Sequence, residues 1–169
     1  MIIIIGLGNI GVQYANTYHN LGFKAIDKLS QVLNISVEKK KYKALIGKGS
    51  YKGQEIILAK PITYMNNSGE AAFALKKKYR DSRLIVIVDD IDLKKGEIRY
   101  RERGKSGTHN GLRSILSYIG EEFERVRIGI GRDESKDLAD YVLSNIKQED
   151  RPLFNEAIDK ACKIIEEKI

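Results

Sequence analysis

Hydrophobic positions along the chain fall into two kinds of run. Ile2-Ile3-Ile4-Ile5 is a continuous β-branched stretch closed by Gly6, and Leu84 to Val88 is a second wholly apolar stretch that ends on Asp89-Asp90-Ile91-Asp92. Short runs without polar alternation predict strands covered on both faces, at the centre of a sheet. Elsewhere the apolar residues recur at helical spacing. Leu21, Ala25, Ile26, Leu29, Val32 and Leu33 predict a helix capped by Asn20, and Ser68 is a fair N-cap for another helix running through about Tyr79. Leu112, Ile115, Leu116 and Ile119 predict a third helix, stopped by Gly120. From Arg151 onward, Leu153, Phe154, Ala157, Ile158, Ala161, Cys162 and Ile165 predict an amphipathic terminal helix.

Two short apolar segments, Ala44-Leu45-Ile46 and Ile56-Ile57-Leu58, flank the Gly/Ser/Lys-rich stretch from Gly47 to Gly53 and predict a hairpin ended by Pro61. Val126 to Ile130 predicts another strand. Residues 97 to 103 alternate, with Arg99, Arg101 and Arg103 on one face and Ile98 and Tyr100 on the other, so one strand face is an arginine row. Helices alternating with buried strands, plus a hairpin, predict a single α/β domain over residues 1–169, a twisted mixed β-sheet sandwiched between helices. Ligands of such sheets bind beyond the strands' carboxyl ends. The strand ends at Gly6, Leu58 and Val88 lead into loops carrying Asn or Asp, which locates the expected site there.

Composition narrows the class. With 169 residues, 42% of them hydrophobic, the chain has enough apolar surface for one core. No apolar run approaches the ~20 residues of a membrane span, so a cytoplasmic protein with no membrane partner is expected, and nothing in the sequence demands more than a monomer. A lone Cys162 cannot form an internal disulfide, and two histidines with one cysteine give no recognised zinc spacing. The net charge of +7 is concentrated. Between Lys94 and Arg113, the cations Lys94, Lys95, Arg99, Arg101, Arg103, Lys105 and Arg113 outnumber the acids Glu97 and Glu102, which favours an anionic partner.

Three motifs invite other readings. Gly6-Leu7-Gly8-Asn9-Ile10-Gly11 fits the dinucleotide pattern G-x-G-x-x-G, but helical periodicity waits until about Leu21, and no acid ends a second strand ~20 residues on. Gly104-Lys105-Ser106 echoes a phosphate-binding loop, yet Arg99 stands where the motif needs its first glycine. A basic glycine loop still holds an anion through its amides and Lys105. Asp89, Asp90 and Asp92 resemble a hard-cation cluster, but alternation sends Asp89 one way and the other two the opposite way, so at most a pair converges. Neither a metal nor another cofactor is expected.

The residues with chemical potential are His19, in a polar loop before a helix, and the loop residues Asn9, Asn66, Asn110 and Asp89. A neutral imidazole takes a proton from water at physiological pH, as ester or amide hydrolysis asks of a general base. A carboxylate behind it fixes the tautomer and stabilises the imidazolium. Asparagine amides hold water and a developing oxyanion without adding charge. No Ser or Cys sits in a nucleophile elbow, so direct attack by water is preferred. The competing reading is an RNA-binding module whose Asn/His loops are structural.

Gly6-Leu7-Gly8-Asn9 with Tyr14 and His19-Asn20, Met65-Asn66-Asn67-Ser68-Gly69, Asp89-Asp90-Ile91-Asp92-Leu93, His109-Asn110-Gly111-Leu112 and Arg127-Ile128-Gly129-Ile130-Gly131 together resemble bacterial-type peptidyl-tRNA hydrolase, in order and over nearly the whole chain. The resemblance implies hydrolysis of the ester joining a peptide to the 3′-terminal ribose of tRNA, with peptidyl-tRNA as partner. By position it makes His19 the general base and Asp89 the carboxylate that orients it. Asn9 and Asn66 would contact substrate near the ester and terminal nucleotide, and Asn110 the peptide backbone and water. Tyr14 and Met65 would line the cleft, and His109 would shape its loop rather than react. Arg99, Arg101, Lys105 and Arg127 would meet tRNA phosphates. Ile10, in place of the proline usual after Gly-Asn, and Thr108, in place of the glycine usual before His-Asn-Gly, change loop stiffness more than chemistry.

Overall fold

A computed structural model describes residues 1–169. Its strands are β1 (Ile2–Gly6), β2 (Lys39–Lys41), β3 (Ala44–Tyr51), β4 (Gln54–Pro61), β5 (Arg83–Asp90), β6 (Ile98–Arg101) and β7 (Glu124–Gly129). Its helices are α1 (Leu21–Leu33), α2 (Ser68–Lys78), α3 (Asn110–Ile119), α4 (Leu138–Val142) and α5 (Arg151–Lys168). The two apolar runs lie side by side: β1 pairs in parallel with β5 on one side and with β4 on the other. The full order is β2-β3-β4-β1-β5-β7-β6, with β7 parallel to β5, and with β2, β3 and β6 each antiparallel to a neighbour.

Covering both faces requires apolar residues at every position of a central strand, which is why Ile2 to Ile5 show no alternation. Ile2 and Ile4 pack into a core with Leu21, Ala25, Ile26 and Leu29 of α1 and Phe154, Ile158 and Ala161 of α5. Ile3 and Ile5 point the other way, into a core with Ala71, Ala72 and Leu75 of α2 and Leu112 and Ile115 of α3. Each isoleucine of this strand is 0 or 1% exposed and contributes about 1.5–3 kcal/mol of burial. No helix is long and apolar enough to cross a membrane.

The hairpin is longer than its apolar residues indicate. β3 runs through Gly47 to Tyr51, and only Lys52-Gly53, both at positive φ, make the turn. The glycines that resemble loop material are there for clearance: a Cβ on Gly47 would overlap the Ser36 carbonyl oxygen, and one on Gly49 would sit 2.6 Å from Ile35 Cγ1. The basic run Lys39-Lys40-Lys41 pairs with β3 as an edge strand. Two expected caps are absent. Ser68 Oγ donates to the Met65 carbonyl at 2.7 Å, and the residue at the N-cap of α2 is Asn67. Asn20 makes no cap bond at the start of α1.

Candidate active site

Loops leaving the carboxyl ends of β1, β4 and β5 meet the start of α3 around a cleft of about 620 Å³. The Asn20 side chain is spent on shaping its floor. Its Oδ1 accepts from the Asn9 backbone N–H at 2.8 Å and its Nδ2 donates to the Asn9 carbonyl at 2.9 Å. This paired clamp fixes the glycine turn against the His19 loop, a stronger local demand than capping α1. Asn9 Oδ1 then accepts from the Met65 N–H at 2.7 Å, joining the β1 and β4 loops. Asn9 is 7% exposed, and its amide nitrogen has no bond within the protein.

His19 sits in a 3₁₀ turn, Tyr18–Asn20, between the long loop and α1. Its Nδ1 lies 3.0 and 2.9 Å from the two carboxylate oxygens of Asp89. Asp89 is 3% exposed, near the carboxyl end of β5. An acceptor-only carboxylate places the proton on Nδ1 and leaves Nε2 with its lone pair and no protein partner. Burial opposes charging of His19, but the charge and hydrogen bond of Asp89 outweigh it, so the imidazole pKa is raised above 6.5. Burial likewise works to raise the Asp89 pKa. The neighbouring His19 and His109 rings and their hydrogen bonds prevail and hold it far below the usual carboxylate range.

His109 does more than shape its loop. Its Nδ1 accepts from the Leu112 N–H at 3.2 Å as the N-cap of α3, and its Nε2 donates to Asp89 Oδ1 at 3.0 Å. The helix start thereby fixes the tautomer that directs a second N–H at Asp89. His19 and His109 rings lie 4.9 Å apart, and the two nitrogens with the Asp89 oxygen are within 4.8 Å of one another. These three are the donors a metal ion would use. In the structure each nitrogen is at hydrogen-bond distance from the carboxylate. Asp90 and Asp92 turn elsewhere: Asp90 pairs with Arg127 at 3.3 Å and Asp92 with Arg132 at 2.6 Å.

Tyr14, Met65, Asn66 and Asn110 line the same cleft as Asn9, His19 and Asp89. Asn110 opens α3, where Gly111 packs tightly on the cleft floor: a Cβ there would sit 2.5 Å from Met65 Sδ, which would have to shift. Leu138, Ala139, Val142 and Leu143, on and after α4, add an apolar part of the cleft lining. These residues were not singled out from sequence; a five-residue helix leaves too short a pattern to read.

The predicted phosphate residues are divided. In the β6–β7 ladder Arg99 stands opposite Arg127 and Arg101 opposite Arg125, like charges that weaken the pairing they sit in. Arg99 is engaged by Glu97 at 2.8 Å, and Arg127 by Asp90 and by the Lys105 carbonyl at 2.9 Å, so Arg127 reaches the cleft partly neutralised. Arg103 is held by Glu121 and Glu122. Arg101 and Lys105 are exposed and make no ion pair. Arg125, hidden behind them, is fully buried against the Phe123 ring at 3.9 Å, and burial with the neighbouring Arg127 charge lowers its pKa to about 10.

The family model for peptidyl-tRNA hydrolase matches residues 3–169. The chain belongs to the peptidyl-tRNA hydrolase family. It is 44% identical over 170 residues to the peptidyl-tRNA hydrolase of Bacillus subtilis, covering 98% of this chain and 90% of that protein. The same-named protein of Thermoanaerobacter sp. strain X514 is 46% identical over 168 residues, covering 98% and 91%. Among solved structures, the crystal structure of peptidyl-tRNA hydrolase from Acinetobacter baumannii superposes with a TM-score of 0.93 at 35% identity, covering 98% of this chain and 87% of that one. The mixed sheet between helical layers is therefore the fold of this hydrolase family.

Proposed function

We propose that the protein hydrolyses the ester between a peptide and the 3′-terminal ribose of peptidyl-tRNA, with water activated by His19. The observation that carries this reading is the His19–Asp89 pair: one imidazole nitrogen is tied to a buried carboxylate and the other has no protein partner in a cleft lined by asparagine amides. A water oxygen attacks the ester carbonyl carbon while His19 Nε2 takes its proton. Asp89 stabilises the imidazolium that results. As the tetrahedral intermediate collapses, the bond from carbon to the ribose oxygen breaks and His19 returns the proton to that oxygen. The products are a peptide carboxylic acid, which releases its proton to solvent, and a tRNA with a free terminal hydroxyl.

Asn110, at the start of α3, is assigned to the peptide backbone and the water, and Asn9 and Asn66 to the ester and terminal nucleotide. Tyr14 and Met65 supply contact surface. Arg101 and Lys105, with Arg99 and Arg127 beside them, meet tRNA phosphates, which gives affinity without sequence choice and suits an enzyme for many tRNAs. The protein acts in the cytoplasm as a monomer. An acid-gel assay of a peptidyl-tRNA beside a free aminoacyl-tRNA tests the reaction class. Cleavage of the first with sparing of the second is expected; binding of tRNA with cleavage of neither would leave an RNA-binding module instead.

A further inference from the structure

The arginine row on β6 is one edge of the sheet, and the other edge is also basic. There, β2 carries Lys39, Lys40 and Lys41, and its register with Ile46 and Ala44 sets Lys39 and Lys41 on the α2 side, with Lys48 further along β3 on that face. Lys39, Lys41, Lys48, Tyr42 and Tyr79 surround a cavity of about 270 Å³ that also touches Glu38. The Tyr42 and Tyr79 rings meet edge to face with centroids 6.0 Å apart. Lys41 Nζ lies 5.2 Å from the Tyr42 ring centre and Lys48 Nζ 5.8 Å from that of Tyr79. Lys39 and Lys41 form no ion pair, and Lys48 reaches only Glu55, at 3.8 Å with both side chains more than half exposed.

Lysines on an edge strand also serve to block strand addition. That role accounts for Lys40 but not for the turn beside it. Tyr42 and Lys43 form a two-residue hairpin turn with φ of 56° and 59°, positions where Asn and Gly are the unstrained residues. A bulky aromatic held in the left-handed region, next to unpaired cations and over a cavity, is backbone strain retained at a surface site. The cavity is smaller than the ~300–1,000 Å³ that encloses a drug-sized ligand, so it fits one ring with its substituents rather than a whole cofactor.

We propose that this cavity is a second RNA site, at the sheet edge opposite the arginine row. It takes one nucleotide of an RNA strand, with the base against Tyr42 and Tyr79 and the flanking phosphates on Lys39, Lys41 and Lys48. The choice of RNA over other polyanions rests on the hydrolase reading; aromatic rings interleaved with lysines are the general means of holding a nucleic-acid strand.

The test is fluorescence anisotropy of labelled, unacylated tRNA across a salt series, with wild type, Lys39→Ala/Lys41→Ala and Tyr42→Asn. Asn suits the left-handed turn, so the last variant removes the ring without breaking the hairpin. The lysine pair is expected to shallow the salt slope by about 1.5–2 units. Tyr42→Asn is expected to weaken binding roughly tenfold at constant slope, the size of losing one stacked base. Affinity and slope unchanged in both variants would overturn the inference. Peptidyl-tRNA cleavage by wild type is scored separately. Cleavage with unchanged binding in the variants rejects this site and leaves the hydrolase standing, whereas weakened binding without wild-type cleavage does the reverse.

Discussion

His19 Nδ1 sits between the two carboxylate oxygens of Asp89, at 3.0 and 2.9 Å, although seventy positions separate them in the chain. β1 and β5 are adjacent parallel strands, so the loop leaving one and the end of the other are brought to the same edge. Replacing Asp89 by Asn keeps the shape and removes the charge, and an amide nitrogen facing Nδ1 favours the wrong tautomer. Hydrolysis by Asp89→Asn is expected to fall roughly 10²–10⁴-fold, measured as kcat on peptidyl-tRNA. A variant with near-normal kcat would remove Asp89 from the mechanism.

With His19 as the proposed base, its raised pKa would set the pH profile. In wild type, kcat/KM is expected to rise with pH through a midpoint above 6.5, because the base must be neutral to accept a proton. In Asp89→Asn the raising influence is gone and burial remains, so the midpoint of any residual activity should move below 6.5. A midpoint that stays put would show that another group titrates.

The same shift has a stability consequence. A folded-state pKa above the unfolded value means that the His19 contribution is fully present below 6.5 and is lost as pH rises through the folded value. Asp89, depressed in the fold, contributes above its ordinary 3.8 and loses that only as pH falls toward its much lower folded value. Thermal melts of wild type and His19→Gln should therefore differ more at about pH 5.5 than at about pH 8.5. Equal differences at both would contradict the charged pair.

His109 has two jobs that mutation separates. His109→Ala loses the α3 cap, at a cost of about 0.5–2 kcal/mol, and also the N–H to Asp89. His109→Asn restores a capping oxygen but not the reach to Asp89. Melting should recover in the Asn variant while kcat stays reduced; full recovery of both would make His109 a cap alone.

Much of this was legible in the sequence, for physical reasons that particular residues show. Ile2 to Ile5 and Leu84 to Val88 read as central strands because burial on two faces leaves no room for polar alternation. His19, Asp89 and the asparagines are each ordinary loop or strand-end residues alone; they become a candidate site together because the loops carrying them leave the carboxyl ends of buried strands, where ligands of such sheets bind. From sequence Asn20 looks like a cap, since an Asn before a helix usually is one; its actual clamp on Asn9 needs a partner eleven residues away. β2 escaped because three lysines carry no apolar period, and the strand exists through pairing with β3. The His109 bond to Asp89 and the burial of Arg125 depend on how α3 and β7 pack, which no local pattern encodes.

Among the basic residues, ion pairing sorts the expected effects. Arg101→Ala and Lys105→Ala, unpaired in the structure, should each shallow the salt dependence of tRNA binding by about one unit. Arg99→Ala should do less, since Glu97 already holds its guanidinium. Binding measured from low to moderate salt checks the ranking; equal slopes in all three variants and wild type would assign these residues to an ordinary charged surface.

The most direct measurement is a single-turnover assay of peptidyl-tRNA cleavage by His19→Ala, with enzyme in excess and with melting and tRNA affinity recorded beside it. The predicted result is a rate at least ~10²-fold below wild type at unchanged affinity and fold. A near-wild-type rate from a folded, tRNA-binding His19→Ala protein would contradict His19 as the base.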